Sequence, residues 1–331
     1  VTALKDLFDS AYWLVHTGER CVLAMIRKSS GSTPRGQGAG MLVLEDGSMR
    51  CTIGGGFLEW SAVETARDVL KNGSGIVERF ELRGVDATVS DAICGGDAEV
   101  CYCLLDHRSL PVLERLYSAR RDRIPGEFFL VQKGEDVILC CRVSGKTVLP
   151  KGVEESIAGR LDEDDPQQLF HGLLPVTPRV ILMGAGHVAE ATAKVARTAG
   201  FDCVVVDDRE EYACPQRFPG AECIVCDAYD ELSPEKVSAQ DFIVIVTRGH
   251  RNDRESLAWA LTTKAGYVGM IGSRTKRDLI YRSLEEQGVS REKLAWVHSP
   301  IGLPIGGRTP GMIAVSIVAE LIQVYTAQCA E

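Results

Sequence analysis

The chain has 331 residues, of which 45% are hydrophobic and 25% charged, and its net charge is −9. Those values fit a water-soluble globular protein of two domains, because a single core stops growing near ~250–300 residues. The acidic balance argues against a nonspecific nucleic-acid binder, which needs a net basic face, and no apolar run is expected to approach the ~20 residues of a membrane span.

The first twenty residues, "VTALKDLFDSAYWLVHTGER", read as an amphipathic helix. They carry acids and lack the long apolar centre of a signal peptide. "CVLAMIRKS" is a short apolar run suited to a buried strand. "SSGSTPRGQGAGM" places Arg35 in a loop of small residues, and "GAGMLVLEDGSM" predicts a strand ending in an Asp-Gly turn. "TIGGGFLEWSAVETARDVLKNG" puts Gly54, Gly55 and Gly56 at the start of a helix, with Glu59 in its first turn. Leu58, Ala62, Ala66 and Val69 share one face of that helix, and Gly73 supplies the stop. "AICGGDAEVCYCLLD" sets Cys94 before Gly95, Gly96 and a strand, and "EFFLVQKGEDVILCCRVSGKTVL" predicts antiparallel strands joined by glycine turns. Residues 1–150 therefore form an α+β module.

Residues 151–178 combine an acidic cluster, Asp162 to Asp165, with three prolines and read as a linker. From 179 to 331 strand and helix patterns alternate. "RVILMGAG", "FDCVVVDDRE", "ECIVCDA", "DFIVIVTRG", "AGYVGMIGS" and "LAWVHSP" are the strand candidates. That alternation is the pattern of a Rossmann-like α/β domain with a doubly wound parallel sheet. The last helix begins at "TPGMIAVSIVAELI", with Thr309 as N-cap and Pro310 in the first helical position.

"GAGHVA" fills the G-x-G-x-x-G/A fingerprint with Gly184, Gly186 and Ala189. The first glycine permits a tight turn, the second lets backbone approach a diphosphate, and the small third residue lets helix and strand pack. The anion would sit on the helix N-terminus. Asp207 and Asp208 follow about 20 residues later, where an acid meets ribose hydroxyls. His187 lies inside the loop and could crowd a dinucleotide or contact another ligand; Arg209 could pair with the acids or reach a phosphate.

Ligands of open parallel sheets bind beyond the carboxyl ends of the strands. Three successive strand ends here lead into "TRGHRND", with Arg248 and His250; "GSRTK", with Gly272, Ser273, Arg274 and Lys276; and "IGLPIGGRTP". "GSRTK" has the make-up of an anion cradle, glycine and serine at a helix start with two cations close by. His250 is a candidate acid or ligand, or a plain loop residue.

Twelve cysteines in a chain this long are not a small disulfide framework, so free thiols in a reducing cytoplasm are expected. Cys101, Cys103, Cys140 and Cys141 fall in strand-like runs and belong to the core. Cys223 and Cys226 have no second pair at zinc spacing. Cys94 is either an inert thiol in a tight turn or a nucleophile, sulfur carrier or metal ligand, depending on its exposure.

Together these segments resemble the xanthine dehydrogenase accessory family, XdhC/CoxI, over nearly the whole chain. The resemblance rests on "GSTPRGQGAGMLV", "TIGGGFLE" and "CGGDAEV", then "GAGHVA", "VVDDRE", "RFPGAE", "VTRGHRND", "YVGMIGSRTK" and "PIGLPIGGRTP" in that order. It departs from the family at Pro304, where an acid is expected, and at Gly311 and Met312, where acids are expected after the proline of the last helix. The resemblance implies an accessory protein, rather than a turnover enzyme, that binds the molybdenum cofactor (molybdopterin). Such a protein supports exchange of an oxo for a sulfido ligand and inserts the cofactor into a molybdenum hydroxylase. The apo-hydroxylase and a cysteine desulfurase are the implied partners. The pterin phosphate suits the "GSRTK" loop, and a soft thiolate such as Cys94 suits the metal end, as a molybdenum contact or a persulfide carrier. The cofactor is then expected between the two modules, with Cys94 and the Gly54 to Gly56 turn facing the Rossmann strand ends. A two-module protein whose site needs closure also suits a homodimer. Two rival readings stand beside it: an NAD(P)-dependent oxidoreductase, resting on "GAGHVA" and Asp207, and a noncatalytic docking protein.

Overall fold

The computed structural model describes residues 2–31, 33, 35–81, 96–161, 165 and 167–328. The chain divides into two units, Val1–Val176 and Thr177–Glu331.

The first unit opens with α1 (Thr2–His16), then β1 (Cys21–Ser30), β2 (Gly40–Leu44), β3 (Met49–Cys51), α2 (Gly56–Asn72), β4 (Ile76–Glu81) and β5 (Asp97–Leu105). α3 (Leu110–Arg121), β6 (Gly126–Lys133), β7 (Asp136–Val143), β8 (Lys146–Val148) and β9 (Gln168–Leu174) complete it. Two antiparallel sheets result, in the orders β3-β2-β1-β5-β4 and β8-β7-β6-β9.

β1 opens with an apolar run over residues 21–26 because both its faces are covered there. Cys21, Leu23 and Met25 join the core shared with α1, α3 and the second sheet, while Val22, Ala24 and Ile26 pack beneath α2. β5 alternates in the same way, with Cys101 and Cys103 on the first face and Val100 and Tyr102 on the second. α2 buries Leu58, Ala62, Ala66 and Val69 as the spacing predicts, and Gly73 ends it in the left-handed conformation.

The segment 151–178 is more than a linker. Its residues Gln168–Leu174 are β9, which pairs with β6 from Gly126↔Leu174 to Leu130↔Phe170. Ile157 and Leu161 of the same segment are buried against the outer face of that sheet. The acids and prolines masked a strand whose backbone completes an otherwise open sheet edge.

In the second unit, β10 (Arg179–Met183), α4 (His187–Thr198), β11 (Asp202–Asp207), β12 (Glu222–Val225), β13 (Asp241–Ile245), α5 (His250–Ala260) and β14 (Tyr267–Met270) follow one another. α6 (Arg274–Glu286), α7 (Arg291–Ala295) and α8 (Pro310–Gln328) close the chain. The sheet is parallel, in the order β12-β11-β10-β13-β14. α4 and α8 share a core on one face, and α5 and α6 cover the other. This is the doubly wound α/β fold expected. "LAWVHSP" is not a sixth strand. Ser290 caps the short α7, accepting the Lys293 N–H at 3.4 Å, and only His298 makes a β-bridge, to Gly269.

α8 corrects a second expectation. It is long and apolar enough to cross a membrane by length and composition, with a mean hydropathy of 1.4. Single polar residues interrupt the apolar run without lowering its average much.

Candidate functional site

The first unit brings its three glycine-bearing motifs to one end of the five-stranded sheet. The loop 31–39 leaves β1 and returns as β2, where Met25 pairs with Gly40. β2 and β3 pair Met41 with Cys51, so the turn after Cys51 emerges beside that loop. β1 and β5 pair Ser30 with Asp97, which sets Gly96 at the same end. A hollow of about 300 Å³ opens there, lined by Lys28, Ser30, Gln37, Arg79, Asp97 and Glu99. Arg35 is exposed. Cys94 and Gly95 lie outside the described residues.

The triple-glycine turn has a concrete cause. Gly54, Gly55 and Gly56 all have positive φ, at 128°, 79° and 63°, a run that residues with a Cβ rarely adopt. Glu59 closes the turn from inside the helix. Its Oε2 accepts the Thr52 hydroxyl and the N–H groups of Ile53 and Gly55, each at 3.2 Å. One oxygen of this candidate cofactor contact is thus the internal clasp of the turn. A Cβ on Gly55 would meet open space, so the outer face of the turn is accessible. Cys51, the described thiol nearest the turn in sequence, is half-buried. Burial and then Asp6 push its pKa up, while Arg35 pulls it down.

In the second unit the parallel register aligns Met183 with Val206 and with Ile245, and Ile245 with Met270. Gly184, Asp207, Thr247 and Gly272 therefore sit along one carboxyl edge. Gly184 has φ 105°, and a Cβ there would come within 2.7 Å of Thr247 Cα; this first glycine is required by close packing. Ala189 is fully buried under the sheet edge. Gly186 is the N-cap of α4 without a side-chain cap, and space is open around it. His187 is exposed at the first helical position.

Asp207 is buried and fully engaged. Its Oδ2 accepts the Ala185 N–H at 2.7 Å and Arg209 Nη2 at 3.1 Å; its Oδ1 accepts Arg209 Nε at 2.8 Å and the Arg209 N–H at 3.1 Å. Four donors match the lone-pair capacity of a carboxylate. Burial pushes the carboxyl up, but the Arg209 and Ala185 hydrogen bonds outweigh it and hold the group below the ordinary aspartate range. The Arg209 guanidinium stacks 3.5 Å above the centre of the Tyr212 ring. Arg217 lies 4.7 Å from that ring and donates to the Ala185 carbonyl at 2.9 Å. The acid of the fingerprint is therefore a bracket for the glycine loop, with its ribose positions already filled.

Lys276 is likewise committed. It pairs with Asp253, which is fully buried and takes the Thr247 hydroxyl at 2.7 Å. This pair ties the "TRGHRND" loop to the "GSRTK" loop. Ser273 caps α6 by accepting the Lys276 N–H at 3.2 Å, and Gly272, at φ 156°, lies against the Lys276 stem. Arg274 is exposed with no ion pair among the described residues. Arg248 is exposed too, 3.9 Å from Asp208. His250 begins α5, behind the uncapped Gly249; its side chain lies outside the described ones.

Residues 14–81 match the XdhC and CoxI family, and residues 180–321 match the XdhC Rossmann domain. The chain belongs to the XdhC/CoxI family. It is 26% identical to a probable xanthine dehydrogenase subunit of Bacillus subtilis, covering 94% of both chains. It is 30% identical to YqeB of Escherichia coli K12 over 96% of its own length, but spans only 46% of YqeB. The molybdenum cofactor insertion chaperone PaoD of E. coli K12 is 22% identical over 93% of this chain and 84% of PaoD. The crystal structure of a xanthine dehydrogenase from Bacillus halodurans superposes with a TM-score of 0.82 at 25% identity, over 97% of this chain and 96% of that one.

Within this XdhC/CoxI chain, sequence reasoning missed the Asp253–Lys276 pair, the Arg217 tie and a buried cluster behind the sheet. In that cluster Glu320 accepts the Tyr267 hydroxyl at 2.6 Å and the Gly302 N–H at 2.8 Å, and lies 2.8 Å from His298 Nδ1. Burial raises the Glu320 carboxyl and these donors more than offset it, leaving it low. The one available signal was a lone acid, Glu320, in an otherwise uncharged helix.

Proposed function

We propose that this chain is a maturation factor for a molybdenum hydroxylase of the xanthine dehydrogenase type. It binds molybdenum cofactor as cargo, holds it during sulfuration by a cysteine desulfurase, and delivers it to the apo-enzyme. Family membership and the likeness to PaoD support the maturation role.

The observation that carries the choice of ligand is the state of Asp207. A dinucleotide needs an acid there for its ribose; Arg209 and Ala185 already fill Asp207, and Asp208 is paired with Arg209 at 3.4 Å and lies 3.9 Å from Arg248. What stays accessible at the same edge is the uncapped N-terminus of α4 beside Gly186, with the exposed cations Arg248 and Arg274. Free helix N–H groups and guanidinium groups suit a phosphate that carries no ribose, as on molybdopterin. The residues present therefore fit the phosphate end of this cargo better than NAD(P).

In the first unit, taken by itself, the Gly54–Gly56 turn, Arg35 and Gly96 at one sheet end form a separate candidate ligand surface. Cys94 remains the proposed soft contact or persulfide carrier on ligand chemistry alone. The ten described cysteines are all free thiols, which suits residence in the reducing cytoplasm.

The test is anaerobic incubation of the purified chain with molybdenum cofactor and, separately, with NADH, followed by gel filtration. Pterin and molybdenum should co-elute with the protein and NADH should not. The loaded protein should activate apo-hydroxylase, and Cys94→Ala should lower that activation at least tenfold. Retention of NADH without pterin would put the oxidoreductase reading first.

A further inference from the structure

The first unit holds a second hollow, of about 220 Å³. Arg108 and Ser109 border it from the start of α3, Lys133 and Asp136 from the turn between β6 and β7, and Lys151 from the loop after β8. It lies past the carboxyl end of β5, whereas the glycine motifs gather at the start of that strand, beside Asp97. The nine residues of β5 set the two places roughly 30 Å apart. The Lys151 N–H donates to the Arg108 carbonyl at 2.8 Å, which fixes the loop against the start of α3.

The polar groups around this hollow are left open. Asp106 takes Arg108 through Nε alone, at 3.1 and 3.0 Å, so both terminal NH2 groups stay without a hydrogen bond among the described residues. Lys133 and Lys151 are exposed and make no ion pair among the described residues. Ser109 is only 4% exposed, yet its side chain does not cap α3 and bonds no other described residue. A buried hydroxyl is expected to have a partner, and Ser109 borders the hollow. On a chain of net charge −9, three cations and an unpartnered hydroxyl around one hollow call for an anion. We infer that this hollow is a binding site for inorganic phosphate. Its size agrees, because sites for small organic molecules begin at about 300 Å³, so an ion fits where a nucleotide or a pterin does not.

Asp136 selects among oxyanions. Its Oδ1 accepts the Gly75 N–H at 2.6 Å and the Val137 N–H at 2.9 Å, while its Oδ2 has no hydrogen bond among the described residues. A carboxylate placed among the cations repels an anion that carries no proton, and accepts a hydrogen bond from one that does. Orthophosphate keeps at least one P–OH near neutral pH. Sulfate has none, and a phosphate monoester gives up its last proton with a pKa of about 6. Three cationic donors and one acceptor therefore match inorganic phosphate better than either. This inference does not rest on the cargo reading.

Equilibrium dialysis of the full chain against radiolabelled phosphate, at neutral pH and constant ionic strength in chloride, reads this directly. Wild type should bind saturably, with unlabelled sulfate and glycerol phosphate competing at least about tenfold more weakly than phosphate. Lys133→Gln combined with Lys151→Gln should weaken binding about tenfold or more at an unchanged thermal melt, since both side chains are exposed. Ser109→Ala should weaken it severalfold, and Asp136→Asn should bring sulfate level with phosphate. Arg248→Gln combined with Arg274→Gln, at the edge proposed for the cargo phosphate, should leave this binding unchanged, so the two readings fail separately. If Asp136→Asn misfolds, because that carboxylate also closes the turn at Gly75, the lysine pair and Ser109→Ala decide. No saturable phosphate binding, binding untouched by the lysine pair, or sulfate competing as well as phosphate in wild type would each overturn the proposal.

Discussion

Arg209 sets the chemistry of the Rossmann edge by filling the acid that a dinucleotide would use. Its side chain is mostly buried, paired with Asp207 and stacked on Tyr212. Arg209→Ala should leave a buried carboxylate with half its donors and destabilise the protein by about 3 kcal/mol in urea unfolding. Because the Asp207 carboxyl is held low, its contribution to stability is complete above about pH 4 and is lost as the pH falls through its lower folded value. The variant should lose less stability than wild type over the same fall in pH, because without Arg209 the carboxyl is no longer held low. It should also gain weak NADH affinity, measurable by calorimetry, because ribose hydroxyls could then reach the acid. An Arg209→Ala protein with wild-type acid stability would show that the pair contributes nothing.

Glycines play two different parts in the two loops, and the difference belongs to the elements that hold them. Gly184 lies where β10 turns beneath α4, and its missing Cβ lets Thr247 approach. Gly55 opens α2 with φ 79° and ψ −171° and faces open space. Gly55→Ala should cost about 1–3 kcal/mol, from backbone strain alone. If cargo approaches the turn there, it should weaken pterin retention well beyond that loss. Gly184→Ala adds a backbone clash to the same strain, so its cost should be roughly twice as large or more. Chemical denaturation of both variants separates the two roles. At this scale much was legible: periodicity gave α2 with its buried face and its Gly73 stop, and the fingerprint gave the β10–α4 turn. β9 was not, because "QLFHGLL" has a mixed pattern and becomes a strand only by pairing with β6.

Across the whole molecule the described thiols divide into two classes. Burial pushes Cys21, Cys101, Cys140 and Cys141 up to about 12, and Cys226 to about 11. Cys51, Cys214 and Cys223 are partly exposed. Iodoacetamide at pH 8 should label those three first among the described cysteines and reach the buried ones only after denaturation. Peptide mapping checks this, and rapid labelling of Cys101 or Cys141 in the native protein would contradict the packing of the two sheets.

The sequence by itself determined the two-part organisation, the parallel sheet and the loops along its carboxyl edge. Those follow from hydrophobic period, glycine placement and turn chemistry, which act between residues close in the chain. Only the tertiary structure decided which polar groups are still accessible. Asp207 and Lys276 read in sequence as ligand contacts, yet each is held by a partner at the site, Arg209 and Asp253. Three motifs scattered between residues 31 and 96 share one end of a sheet because antiparallel pairing sets their register. A buried charge must be paired, and which residue pairs it depends on distances in space that spacing along the chain does not encode.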